Sequence, residues 1–538
     1  MYSPSPSDAA ATNREVRSLS LGDQRPVTPF EPEPEPETKV AETMTSPTGE
    51  VQATSYVVVV VGASGDLAKK KTYPALFKLF LNGFLPSKVA IIGYARSSNT
   101  NEAFREKIRP WLEKLAEGKL EMLEEFLATM TYLAGQYDSP EDFAKLDVAV
   151  AEWEQGSGAG VHNRLFYLAI PPAVFGPAAN SIKQSAMAVD PAWTRVIVEK
   201  PFGHDLASSD ILDKQLNQLL TEEQIYRIDH YLGKEMVQNL SAVRFGNSIF
   251  EPLWNRHNIA SVSVTFKEEI TVEGRAGYFD GIGLIRDVMQ NHLLQLVTLV
   301  AMEPPVSLDS EDVRDEKVKV LRSMKPLRLS NVVLGQYEGY CFDPDVPDDS
   351  KTETYAMAVM EIENARWSGV PFIVKCGKAM NDKKVEIRVQ FKESPLPYHR
   401  GGQGANRNEL VMRVQPDEAM YLKTNMKRVG QTGMVTAELD LSYHKRFPDA
   451  YVPEAYEKLI HDCFMGEHAN FVRNDELRGE RTLGAGVGAA TAATAAASAV
   501  APAGPVASLG PELLPRCHRR RRRCYRCSQS RGNSSTAS

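Results

Sequence analysis

The chain has 538 residues, 43% apolar and 24% charged, with a formal net charge of -7 and 6 cysteines. That composition excludes a fibrous or wholly disordered chain, and the acidic balance argues against a dedicated nucleic-acid binder. No apolar run approaches the ~18–20 residues of a membrane helix, and the cysteines are too few for a disulfide scaffold, which makes a reducing compartment the default.

Residues 1–54 are rich in Ser, Pro, Thr and Glu and include the tract EPEPEPE. Such a segment buries too little apolar surface to offset its ordering entropy, so disorder is expected. It has no signal-peptide core, and its acidity is unlike a transit peptide, which leaves the cytoplasm as the expected address.

Tyr56 to Val61 reads YVVVVV, a strand buried on both faces. Gly62-Ala-Ser64-Gly65-Asp66-Leu67-Ala68 follows and opens a helical pattern through Tyr73, Leu76, Phe77, Phe80 and Leu81. Glycines there let the backbone approach a pyrophosphate at a helix N-terminus; a tight turn that binds nothing is the alternative. The spacing is GxxGxxA, and no P-loop glycine precedes Lys71-Thr72. The next strand, Val89 to Ile92, ends in Gly93-Tyr94-Ala95-Arg96. No acid stands there for a ribose 2′-hydroxyl, whereas Arg96 suits the 2′-phosphate of NADP, with a plain surface arginine as the alternative. Further strands are expected at Leu165 to Ile170 and Val196 to Val198, with helical patterns between. Alternation of this kind implies a Rossmann-type, doubly wound parallel sheet.

Three motifs with chemical potential follow. Glu199-Lys200-Pro201-Phe202-Gly203 ends a strand, where a lysine can reach a ligand, although a surface turn has the same sequence. Arg227-Ile-Asp229-His230-Tyr231-Leu-Gly233-Lys234 groups donors suited to a phosphate monoester, with a solvated loop as the alternative. His292 lies on an apolar helical stretch, either as a core histidine or as a general base. Asp287 is five residues before it, about 140° around an α-helix, so a carboxylate orienting His292 is expected from elsewhere.

From about residue 240 the pattern changes to alternation: Ser261 to Ile270, Lys384 to Phe391, Leu410 to Val414 and Glu438 to Leu441. Strands with one wet face predict a larger α+β domain with a mainly antiparallel sheet. In Lys384–Phe391 the wet face is Lys384, Glu386, Arg388 and Gln390. The expected units are 1–54 disordered, 55–229 Rossmann, 230–478 α+β, and 479–538 a low-complexity Ala/Gly/Arg tail, either disordered or an artefact of the gene model. Cys517-His518 and Cys524-x-x-Cys527 have metal-like spacing, but no fold pattern surrounds them and no metal is expected.

GASGDLAKKK, GYAR, EKPFG, RIDHYLGKE, GYFDGIGLIRDVMQNHLLQ, VPFIVKCGKAM and ELVMRVQP together resemble the glucose-6-phosphate dehydrogenase family over Tyr56 to Arg478. The resemblance implies oxidation of glucose 6-phosphate at C1 to the 6-phosphogluconolactone, with hydride transfer to NADP, as the first oxidative step of the pentose phosphate pathway. It implies His292 as base and Asp229 as its orienting carboxylate. His230, Tyr231, Lys234 and Lys378 match residues that grip the 6-phosphate. Lys200, Glu268 and Asp287 match groups around the sugar hydroxyls, with Lys200 also near the nicotinamide, and Lys383 stands on the substrate side. Gly62, Ser64, Gly65, Asp66, Leu67 and Arg96 match the NADP site, and Phe175 stands where many relatives have Tyr. Lys375, Lys384, Arg413, Tyr421 and Lys423 resemble part of a second, structural NADP site. A homodimer or homotetramer is implied, with neither nucleic acid nor membrane as partner.

Overall fold

A computed structural model describes residues 43–45, 51–203, 205–394, 406–430, 434–446, 448 and 450–483. Residues 1–42 and the tail from 484 onward, including Cys517, His518, Cys524 and Cys527, lie outside the described residues. Among the described residues no helix is long and apolar enough to cross a membrane.

The first sheet contains β1 (Thr43–Thr45), β2 (Val51–Val61), β3 (Val89–Ala95), β4 (Met130–Ala134), β5 (Val161–Leu168), β6 (Thr194–Val198) and β7 (Ile225–Arg227). Six strands pair in parallel in the order β4-β3-β2-β5-β6-β7, and β1 adds to β2 antiparallel. The valine run explains why β2 is central. Val57, Val59 and Val61 enter one apolar core, while Val58 and Val60 enter the other with Tyr56. Full burial of a valine contributes about 1.5–3 kcal/mol, so a strand that buries both faces anchors both helical layers. Strand order reverses between β2 and β5, which run parallel, and a crevice for ligands opens at their carboxyl ends.

The second sheet contains β8 (Ile259–Lys267), β9 (Val332–Gly335), β10 (Tyr355–Met360), β11 (Phe372–Gly377), β12 (Lys384–Phe391), β13 (Glu409–Gln415), β14 (Ala419–Lys427) and β15 (Met434–Ser442). Its order is β15-β14-β13-β12-β8-β11-β10-β9, antiparallel except where β8 meets β11. Against it lies the helix Leu294–Ala301, buried at every residue. A helix apolar on most of its faces, with Gln295 and Thr298 as its polar residues, belongs in an interior. Trp254 and Trp367 donate to the Val300 and Ala301 carbonyls, both at 2.8 Å, and Arg244 donates to those of Leu299 and Met302. These donors satisfy the orphan carbonyls of the helix end. One apolar core, holding Val57 and Val262 alike, joins the two sheets.

Two expectations change. The face of β12 expected to be wet carries Glu386, which is only 4% exposed. Lys384 lies 3.2 Å from it and Arg388 also pairs with it, so neighbouring charges cover this face instead of water. The chain also stays helical over residues 474–483, straight through Arg478, and buries Glu480, Arg481 and Leu483.

Candidate active site

The turn after β2 shows why glycine stands first in GASGDLA. Gly62 has φ of +92°, and a Cβ there would lie 2.3 Å from the Ala169 carbonyl oxygen beyond β5. Only glycine tolerates both the conformation and the approach. The Gly62 and Ala63 N–H groups both donate to the Tyr94 carbonyl, at 2.8 and 3.2 Å, and Gly65 N–H donates to Gly62 O at 2.8 Å. The turn is thereby fixed to β3 and lies at the mouth of the crevice. Ser64 and Asp66 are exposed there, and Leu67 leads into the helical turn. Lys70 binds Asp66 at 2.7 Å, and its hydrogen bond and charge hold that carboxyl below the ordinary range. Arg96, exposed at the end of β3, lies over the Tyr137 ring at 5.4 Å. A backbone cradle that a Cβ would fill, with the exposed Arg96 guanidinium beside it, fits a dinucleotide. Phe175 is the first residue of the helix Phe175–Ser185. It is fully buried in the apolar core, so its ring presents no surface to the crevice.

The acid–base cluster is built from three separate elements. Asp229 follows β7, Lys200 follows β6, and His292 comes from the helical run Ile285–Leu293. His292 Nδ1 lies 2.5 Å from Asp229 Oδ1, and His292 Nε2 lies 2.9 Å from Lys200 Nζ. A lysine ammonium only donates, so Nε2 must accept and Nδ1–H must donate to Asp229. The contacts therefore fix one tautomer with a lone pair on Nε2. Both His292 and Asp229 are 2% exposed. Burial pushes the imidazole below its ordinary value, and Asp229 offsets this only in part. Burial would raise the Asp229 carboxyl, but the charge and hydrogen bond of His292 outweigh it and hold it at about 2. The pair at neutral pH is a carboxylate beside a neutral imidazole.

Asp287 corrects the helix-angle argument. Residues 285–293 form π-helical turns, with Leu294 N–H bonding Met289 O. An i→i+5 turn takes about one residue more than an α-helical turn, so residues five apart fall on the same face. Asp287 therefore shares the inner face with His292: Lys200 Nζ donates to the Asp287 carbonyl at 3.0 Å and lies 3.6 Å from its carboxylate. Asp229 is still the carboxylate that holds Nδ1, for a different reason than the one expected.

A cavity of about 830 Å³ opens onto His292 and is lined by His230, Tyr231, Lys234, Glu268, Lys378 and Lys383, among others. That volume is in the range of small-molecule sites. His230 meets His292 edge-on at 4.6 Å and stacks on Tyr456 at 5.9 Å, while Tyr231 stacks on His292 at 4.4 Å. Burial pushes Lys234 below its ordinary value. Lys378, grouped with the phosphate residues by resemblance, pairs instead with Glu268 at 2.6 Å and Asp287 at 3.8 Å. Lys383 is exposed at the rim. Lys384, Arg413, Tyr421 and Lys423 belong to β12, β13 and β14, and Lys375 to β11.

Several residues at the site escaped the sequence reading. Tyr456 comes from the distant helix Ala455–Met465 and lines the cavity. Glu199 is buried against the Tyr167 hydroxyl at 2.5 Å, and burial pushes it to about 7. Glu480 and Arg481 sit behind Asp229. Motif spacing could not show Tyr456, Glu480 or Arg481, because no local pattern links them to the motifs they touch, and Glu199, although it stands in a motif, shows its burial only in the fold.

Comparison with known proteins agrees with this geometry. A family model for the glucose-6-phosphate dehydrogenase NAD binding domain matches residues 59–239, and one for the C-terminal domain of that enzyme matches residues 241–523. Cytoplasmic glucose-6-phosphate 1-dehydrogenase 5 of Arabidopsis thaliana is 54% identical over 432 residues, covering 79% of this chain and 84% of the relative. The glucose-6-phosphate 1-dehydrogenase of Caenorhabditis elegans is 51% identical over 437 residues, covering 79% and 83%. Among solved structures, a glucose-6-phosphate dehydrogenase in complex with glucose 6-phosphate superposes with a TM-score of 0.77 at 47% identity, covering 80% of this chain and 91% of that one.

Proposed function

The chain belongs to the glucose-6-phosphate dehydrogenase family, and from that premise we propose how its own residues perform the reaction. The enzyme oxidises D-glucose 6-phosphate at C1 to 6-phospho-D-glucono-1,5-lactone. The observation that carries the reading is His292 Nε2, a lone pair fixed by Asp229 and facing a basic cavity. The C1 hydroxyl takes the place of Lys200 as donor to Nε2, and His292 accepts its proton as C1 gives up a hydride. Asp229 stabilises the imidazolium that forms, as a buried carboxylate does behind a catalytic histidine. Lys200, displaced from Nε2, remains to orient the sugar, with Glu268 and Asp287 beside the other hydroxyls. His230, Tyr231 and Lys234 grip the 6-phosphate, assisted by Lys378 and Lys383; each charge-assisted hydrogen bond is worth about 1.5–3 kcal/mol.

The cofactor is NADP, which when bound supplies the hydride acceptor. Gly62, Ser64, Gly65, Asp66 and Leu67 would hold its pyrophosphate end, and Arg96 its 2′-phosphate. Exposure of Arg96, with no carboxylate in its place, supports NADP over NAD. The enzyme works in the cytoplasm as a homodimer or homotetramer; two relatives named as cytoplasmic isoforms support the address, and light scattering tests the assembly.

The test is formation of reduced nicotinamide by the purified full-length chain. Activity is expected with glucose 6-phosphate and NADP, less with NAD, and little with unphosphorylated glucose. Equal activity with glucose would overturn the phosphate assignment, and preference for NAD would overturn the role of Arg96.

A further inference from the structure

Behind the acid–base pair lies a second cavity of about 10 Å³, walled by Lys200, Asp229, Asn291, Leu477, Glu480 and Arg481. Asp229 commits Oδ1 to His292 and to the Tyr231 N–H, while its Oδ2 is buried with no partner. A buried carboxylate oxygen without a donor is unusual and costly. Glu480, 2% exposed, reaches the same cavity from the helix over residues 474–483. Its Oε1 accepts from Gln295 Nε2 at 2.7 Å, and Gln295 stands three residues past His292. Gln295 also donates to Glu476 at 3.1 Å, and Glu476 pairs with Lys317 at 2.7 Å. The anchor of Glu480 thus stands on the helix Leu294–Ala301, which directly continues the run that carries His292.

We propose that Glu480 is a positioning residue for the Asp229–His292 pair: anchored by Gln295, it turns a carboxyl O–H toward Asp229 Oδ2 across this cavity. The space is about that of one water probe, so the bond is direct or passes through a single water. The inference rests on the reading of His292 as base. The charged groups around Glu480 are Asp229 after β7, Lys200 after β6, and Glu476 and Arg481 on its own helix, and Arg286 and Asp205 act in turn on Arg481. Lys317 lies beyond Glu476. Burial, then the charges of Asp229 and Glu476, push Glu480 well above its ordinary value, offset in part by Gln295 and Arg481. A carboxyl that keeps its proton can donate. A donor on Oδ2 spreads the charge of Asp229, weakens its hold on the His292 proton, and keeps the base free at lower pH. Arg481 is the rival donor, since its Nε has no partner and it lines the same cavity, while its Nη2 donates to Gly203 O at 3.2 Å.

Three full-length variants separate the possibilities: Glu480→Leu, which has no donor, Glu480→Gln, which keeps one and cannot ionise, and Arg481→Met. The readout is the acid limb of kcat/KM for glucose 6-phosphate with NADP, beside the melting temperature. Glu480→Leu should move the limb to higher pH by about half a unit or more, Glu480→Gln should restore it, and Arg481→Met should leave it in place. A Glu480→Leu profile that superimposes on the wild type, or a shift only in Arg481→Met, overturns the proposal. If Glu480→Leu does not fold, infrared difference spectra at neutral pH decide. A protonated carbonyl band present in the wild type and absent in Glu480→Gln supports the donor, and its absence from the wild type overturns it. Undiminished turnover in His292→Asn would instead overturn the reading of the base and leave the infrared result standing.

Discussion

The two halves of the active site are made of different material. The cofactor crevice is made of backbone: a glycine turn set by the meeting of β2 and β5, with exposed Ser64, Asp66 and Arg96 around it. The acid–base half is made of side chains: Asp229, His292 and Lys200 come from three elements and are held by contacts of 2.5 and 2.9 Å. A backbone site depends on what is missing at one position, a Cβ. A side-chain site depends on the charge and tautomer of each partner. The first should fail by losing shape and the second by losing chemistry while the fold persists.

The sharpest test of that contrast is His292→Asn. Turnover should fall by about 10²–10⁴-fold, the usual share of general-base catalysis, with an unchanged melting temperature. Asp229→Asn should cost turnover by about 10²-fold or more, because an amide no longer selects the Nδ1–H tautomer. In the other half, Gly62→Ala should destabilise the fold by about 1–3 kcal/mol, as seen in melting, since its Cβ meets a carbonyl oxygen and its φ is positive. Exposed Ser64→Ala should leave melting unaltered, and equal losses at both positions would break the contrast.

Smaller effects sharpen it. Arg96→Glu should weaken NADP by about an order of magnitude and narrow its preference over NAD, without altering the pH profile. That profile belongs to the other half. The base form of His292 is needed, and its value lies below the ordinary ~6.5, so kcat/KM should be at plateau at neutral pH and fall only below that figure. Asp229, at about 2, stays ionised throughout. The smallest effect is expected from Phe175→Tyr, where KM for NADP should stay within about twofold because the ring is enclosed by the core.

The same contrast explains what was legible in the sequence. An uninterrupted valine run and strict alternation mark strands well, and β12 has the bounds expected for it, Lys384–Phe391. β10 was not legible because Tyr355, Met357 and Val359 on one face and Ala356, Ala358 and Met360 on the other are all apolar, so no alternation shows. β7, with three residues, is too short to show a period. Asp229, His230, Lys200 and His292 stand in local motifs. Tyr456 and Glu480 meet them only through the tertiary fold, and helix geometry was misjudged where the turn widened.

That widened turn has a consequence of its own. A run of i→i+5 bonds holds one more residue per turn than an α-helix would, so it re-registers side chains without moving either end of the rod. Between Ile285 and Leu293 the additional residue brings Asp287 and His292 onto one face, and the Asn291 side chain secures it by donating to the Arg286 and Asp287 carbonyls at 3.2 and 3.0 Å. Removing a single residue here would let the segment wind as an ordinary α-helix. It would also rotate everything downstream by about 100° relative to what precedes it, parting the sugar-facing carboxylate from the base while the apolar helix Leu294–Ala301 lost its seat. The segment is in effect a phase adjuster, and its length in residues is as much a part of the active site as the identity of the histidine it carries.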